Sequence, residues 1–177
     1  MKCLNILLKE KRIFVGKIND SLLCNSLTDF MVATERPDGS KFRLVGLDVG
    51  LQKCGVAISD ESLDVSIPLS IVDTSSLDSH LKFMKNNLID YALIIGLPLT
   101  LSGALGSSCL KICHIINSLS DVINDFSIPV WFHDERYTTS ISYQDYSVKR
   151  RSNKFVDHYC AMKILQEHLD LRKLKTS

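Results

Sequence analysis

The clearest alternation of apolar and polar positions begins at Arg43. Leu44–Val49 and Gly55–Ser59 read as two strands joined in a hairpin through Gly50 to Lys53. Ser66–Val72 reads as a third strand, which completes a meander. Beyond it the pattern changes period. Ser76–Leu88 has helical spacing, Tyr91–Ile95 is a short apolar strand, and Gly106–Asn124 is helical again. Ile128–His133 predicts a strand, Thr138–Ser147 a short helix and Asn153–Leu171 a long final helix that Asn153 can cap. Three strands in sequence, then strands alternating with helices, predict an α/β domain with a mixed sheet.

Residues 1–42 carry short apolar clusters broken by charge and form an N-terminal extension, able to supply one or two helices before a turn at Pro37-Asp38-Gly39. Residues 43–177 are expected to be the domain proper. Met31 also fits a start position, which would make the first thirty residues dispensable. Lys9 to Arg12 interrupt the early apolar stretch, which argues against a secretory signal. Glu10, Asp20, Asp29, Glu35 and Asp38 are unusual for an organellar transit peptide, although targeting by the extension stays open.

Composition narrows the class. The 177 residues are 45% hydrophobic, enough for one domain with a real core. No apolar run is long enough to span a bilayer, so no membrane role is expected. The net charge of +1 is too low for a dedicated nucleic-acid coat, yet it permits a nuclease whose bound cations supply the positive charge. The six cysteines are scattered, without the spacing of a disulfide framework, and suit a reducing, cytoplasmic setting. Cys109, Ile112, Cys113, Ile116 and Leu119 fall on one helical stripe and read as core, in preference to a zinc cluster with His114.

Four stretches can carry chemistry. Asp48 stands inside an otherwise apolar strand between Gly46 and Gly50. An ionised carboxylate there is costly unless hydrogen-bonded or bound to a cation. The segment "IPVWFHDERYTTS" ends a strand directly in Asp134-Glu135-Arg136, and ligands of α/β sheets gather at strand ends. Asp157 leads a stripe of Ala161, Ile164, Leu165 and His168 that should face the sheet. An acid in a first turn also favours the helix dipole, but that role needs only an exposed side chain. "IIGLPLTLSGALGSS", Ile94 to Ser108, is a glycine-bearing strand-to-helix loop able to offer N–H groups to phosphate, although it lacks the Gly-Lys-[Ser/Thr] of a Walker A loop. Together these stretches place acids at two strand ends and on one inward helix face, an arrangement typical of magnesium-dependent phosphoryl chemistry.

In this order the stretches resemble the YqgF/RuvX family of pre-16S rRNA nucleases, relatives of Holliday-junction resolvases. "LVGLDVGLQKCGVAISDE" resembles the family's first strand pair, "SIPLSIV" its third strand and "IIGLPLTLSG" its glycine-leucine-proline loop. "HDERYTT" is similar to its Asp-Glu-Arg motif and "VDHYCAMKIL" to its closing helix. The resemblance runs from about Arg43 to Leu169. It implies a ribonuclease-H-like fold, with a five-stranded mixed sheet flanked by helices. It also implies a metal site at Asp48, the Asp134–Glu135 pair and Asp157, taking Mg2+ or Mn2+.

The resulting expectation is a divalent-metal-dependent nuclease acting on structured RNA or branched DNA, as a monomer or homodimer. Asp48, Glu135 and Asp157 are the expected catalytic residues. Lys53, Arg136, Lys149, Arg150 and Arg151 are the expected contacts to backbone phosphates. Lys149 to Arg151 read equally well as a solvated turn. The alternative function is a non-catalytic ribosome-assembly or nucleic-acid-binding factor on the same fold. An actin/Hsp70-type nucleotide fold shares the Asp-x-Gly start, but the chain is too short for its two lobes.

Overall fold

A computed structural model describes residues 17–39, 42–87, 90–102, 104–135 and 153–176; for 153–158 and 176 it gives the helix position alone. Alternating apolar residues build β1 (Arg43–Val49) and β2 (Lys53–Ser59), which pair antiparallel with Asp48 opposite Gly55. Gly50 N–H donates to the Lys53 carbonyl at 3.0 Å and closes the hairpin. Thr74 ties the turn down from outside: its hydroxyl donates to the Gly50 carbonyl at 2.8 Å and its N–H to that of Gln52 at 2.9 Å. β3 (Ser66–Asp73) follows antiparallel on the outer edge, with a register shift opposite Val56/Ala57.

The chain then crosses through α2 (Leu77–Asn87) to β4 (Tyr91–Leu97), which lies parallel to β1. α3 (Ser107–Ser118) and α4 (Ser120–Asp125) return it to β5 (Val130–Asp134), parallel to β4. The strand order is β3-β2-β1-β4-β5, the five-stranded mixed sheet that the sequence predicts. α5 (Asn153–Thr176) covers one face. The other face carries the larger apolar cluster, which includes Leu77, Leu81 and Met84 of α2 and Cys109, Cys113 and Ile116 of α3. The cysteine stripe on α3 is thus core.

One expected helix, Gly106–Asn124, is instead two. The Ser118 hydroxyl donates back to the Ile115 carbonyl at 2.6 Å, and Leu119 N–H turns to the Ile116 carbonyl at 3.0 Å. Such local bonds compete with the helical ladder and bend it. The final helix runs to Thr176, past the expected end at Leu171. The helix expected at Thr138–Ser147 lies outside the described residues.

Ahead of β1 stand a 3-10 turn (Asp20–Leu22) and α1 (Leu27–Ala33), whose cap Ser26 accepts the Asp29 N–H at 3.0 Å. Phe30 of α1 is fully buried in the cluster under α5. A chain starting at Met31 would lack that side chain.

Candidate functional site

β1 and β4 run parallel, so their C-terminal ends share one edge of the domain. On β1 the side chains of Leu44, Gly46 and Asp48 alternate onto the α5 face. Gly46 sits under the helix: a β-carbon there would come within 2.8 Å of Leu165 Cβ and 2.9 Å of the Ala161 carbonyl. α5 therefore rests on bare backbone, and Asp48 emerges one pleat further on.

The register leaves space around this acid. Asp48 faces Gly55 on β2, and the Gly46–Ile94 pairing carries Gly96 of β4 alongside it on the other flank. The carboxylate of Glu135 fills the space over Gly96. A β-carbon on Gly96 would overlap Glu135 Oε1 and approach Ile164 Cδ1 of α5 to 2.7 Å. Glu135 N–H donates to the Leu97 carbonyl at 3.2 Å, which extends the β4–β5 pairing by one residue and fixes where its side chain starts.

Two acids forced together in a poorly solvated place should resist ionisation. Burial, and then the Asp48 carboxylate, push Glu135 up to about 8, with Glu167, Asp134 and Cys109 adding smaller contributions. Glu135 Oε1 is withdrawn from solvent. Asp134, the last residue of β5, is half-buried. The Cys54 thiol, opposite Val49, is raised by burial first and by Asp48 second, which keeps it protonated and inert.

α5 runs antiparallel to β1. Ala161 and Leu165 cover Gly46, whereas Arg172 reaches Thr34, whose carbonyl accepts Phe42 N–H beside the start of β1. The first turns of α5, with Asp157, are consequently at the Asp48 end. Lys53 begins β2 at the same end and is exposed. Arg136, Lys149, Arg150 and Arg151 lie outside the described residues, as does the side chain of Asp157.

Sequence reasoning missed Glu167. Its carboxylate accepts a hydrogen bond from His133 Nε2 at 2.9 Å and adds negative charge near Glu135. Nothing in its helical spacing marks it, because the pairing joins α5 to β5. Gly96 did leave a signal, since a glycine inside a strand marks close approach.

The donors that meet here are hard carboxylate oxygens, the chemistry that suits a divalent cation. The described part of the set is Asp48 and Glu135, with Asp134 next to Glu135 in the chain; no group of three side chains close enough to hold a metal ion forms among the described residues. A cation would relieve the repulsion that raises Glu135.

Fold and carboxylate edge define a class: an α/β domain of the ribonuclease-H-like type. Consistent with it, a solved structure, "T. thermophilus RuvC in complex with Holliday junction substrate", superposes with a TM-score of 0.51 at 12% identity, covering 77% of this chain and 98% of that one. Residues 42–171 match the family described as "RuvX: Holliday junction resolvase", and the chain belongs to that family. A relative from Ehrlichia canis (strain Jake), named "Putative pre-16S rRNA nuclease", is 31% identical over 160 residues, 86% of this chain and 98% of its own. One of the same name from Roseiflexus sp. (strain RS-1) is 32% identical over 138 residues, 74% of this chain and 96% of its own. The Ehrlichia alignment is too long to fit within residues 43–177, so it includes part of the N-terminal region.

Proposed function

We propose that this chain hydrolyses phosphodiesters in structured nucleic acid at a carboxylate-held divalent metal site. The class, a nuclease of pre-rRNA processing or junction resolution, follows from its family. The observation that carries the site assignment is the meeting of Asp48 and Glu135 over a floor of glycine at the C-terminal strand edge. Asp48, Glu135 and Asp157 hold the cation, Mg2+ or Mn2+. Glu135, turned over Gly96 toward Asp48, is the inner ligand of the Asp134–Glu135 pair, and Asp134 the outer one. A divalent cation held there would supply the chemistry that lowers the pKa of an attacking water and stabilises the leaving oxygen.

The remaining groups orient and exclude. Glu167 holds His133, which directly precedes Asp134 and Glu135 in the chain. Ile164 Cδ1 lies beside the Glu135 carboxylate over Gly96. Lys53 and Arg136, with Lys149 to Arg151, hold backbone phosphates and fix register rather than sequence.

Purified protein offered pre-16S rRNA fragments and four-way-junction DNA, with Mg2+ or Mn2+, tests this reading. Wild type should cleave one of them, and Asp48→Asn should lose at least about a hundredfold, the upper range for losing a mere outer-shell partner. Its fold should survive, because the change removes a partly buried charge. Binding without cleavage by wild type would turn the assignment to a non-catalytic assembly factor.

A further inference from the structure

Residues 17–34 touch two of the three elements that bear the acids, β5 and α5. On the β5 side, Cys24 N–H donates to the Val130 carbonyl at 3.2 Å and Leu23 bridges Val130 in parallel, so the arm occupies the edge beside β5. Asn124 fixes its beginning: the side-chain amide donates to the Lys17 carbonyl at 2.7 Å and accepts Asn19 N–H at 2.9 Å. On the α5 side, Arg172 donates to the Thr34 hydroxyl at 3.3 Å and Lys175 to that of Thr28 at 3.1 Å.

Phe30 lies between the two sides. Its ring centroid is 6.2 Å from that of Trp131 on β5 and 5.2 Å from that of His168 on α5, the latter edge-to-face. Trp131 and His168 are themselves 6.0 Å apart, so three rings fill the wedge between strand and helix. Phe30 and His168 are wholly buried there. α5 packs on β1, β2 and β3, and over Gly46 it lies directly on the β1 backbone. The three-ring wedge fills the space between its C-terminal half and β5.

We propose that the N-terminal arm is a positioning clamp for the carboxylate site: through Phe30 it fixes α5 against β5, so that Asp157 and Glu135 meet Asp48. Phe30 acts through the helix and strand it spaces. The proposal rests on the metal-site reading above.

Lost stability alone cannot test it, because removing any fully buried ring destabilises. The comparison is with Leu81→Ala, a truncation of similar burial in the cluster on the opposite face of the sheet from α5. Manganese titration calorimetry is run on the full-length wild type, Phe30→Ala, Phe30→Leu, Leu81→Ala and Asp48→Asn, at a temperature where circular dichroism shows all folded. Phe30→Ala should weaken Mn2+ binding about tenfold or more, as loss of a ligand-orienting partner does. Phe30→Leu should recover most of it, and Leu81→Ala should stay within about twofold of wild type on the same scale. If Phe30→Ala does not fold, Phe30→Val takes its place with the same expected direction.

Amide exchange of residues 159–169 in metal-free protein gives a second readout: Phe30→Ala should exchange faster there than Leu81→Ala. Wild-type Mn2+ affinity in Phe30→Ala, or equal weakening in Leu81→Ala, overturns the clamp. No Mn2+ binding by wild type overturns the metal reading instead, and the exchange comparison then decides whether the arm holds α5 at all.

Discussion

On one face of the sheet β1, β2 and β4 present Val45, Leu47, Val49, Cys54, Val56, Tyr91, Leu93, Ile95 and Leu97. On the other face the same strands present Gly46, Asp48, Gly55, Ala57, Ala92 and Gly96, with Leu44 and Ile94 among them. The first face is filled to the strand ends by large side chains and is worth about 1.5–3 kcal/mol for each one buried. The second gives up much of that burial. Its small residues let α5 lie almost on the backbone and leave room at the strand ends for two carboxylates. Large apolar side chains and carboxylates are thus divided between the faces of one sheet, and the same alternation that builds each strand performs the division.

The division predicts opposite phenotypes for neighbouring residues on β4. Gly96→Ala puts a methyl group where Glu135 Oε1 and Ile164 Cδ1 now lie, so the Glu135 carboxylate must turn away from Asp48. Metal-dependent cleavage should fall about a hundredfold or more, with a smaller cost in stability than a core cavity brings. Leu93→Ala, on the crowded face, should cost about 2–5 kcal/mol in urea unfolding and leave Mn2+ affinity unchanged. If both variants lose affinity equally, the faces are not functionally separate.

Gly46→Ala tests the same face beneath the helix. Its new β-carbon meets backbone and the root of a side chain, Leu165 Cβ and the Ala161 carbonyl, which cannot swing aside. Overpacking of this kind costs about 1–3 kcal/mol. Because α5 must lift, Mn2+ affinity should fall as well, by about tenfold. Lost stability with wild-type affinity would mean that the helix height does not matter to the site.

How much of this was legible in the sequence follows from which interactions are local. Strict alternation showed the β1–β2 hairpin, and the apolar neighbours of Asp48 exposed it as an anomaly. The Asp134–Glu135 pair was legible as a strand end, but the placing of Glu135 over Gly96 was not, because it depends on a residue one strand away. The break at Leu119 was hidden because Ser118 competes for a carbonyl without altering the apolar spacing. The pairing of Glu167 with His133 and the burial of Phe30 were hidden for another reason. Both join elements far apart in the chain, and neither residue departs from what its own helix allows.

The α5 face has a second polar feature, at the end away from the carboxylates, and it sharpens the comparison from the other side. His168 is wholly buried against Phe30 and Trp131, with His133 facing it from β5 and Arg172 one turn along α5. Burial first, then those two positive or potentially positive groups, holds its ring down to about 3, against the ordinary 6.5. Between these values the unfolded chain binds a proton that the folded one refuses. The ring therefore contributes its full share of stability above pH 6.5, and that share is lost as the pH falls toward 3. The slope attributable to it is at most about 1.4 kcal/mol per pH unit. Urea midpoints measured from pH 7 to pH 4 should drop more steeply for wild type than for His168→Leu, which keeps an apolar side chain in the wedge. Carboxylates such as Asp60 and Asp90, whose partners lower them in the folded state, also lose stabilisation in acid, but they do so in both proteins. Parallel profiles would show that the buried ring takes up its proton without leaving the wedge, and that this end of the face tolerates charge as the carboxylate end does.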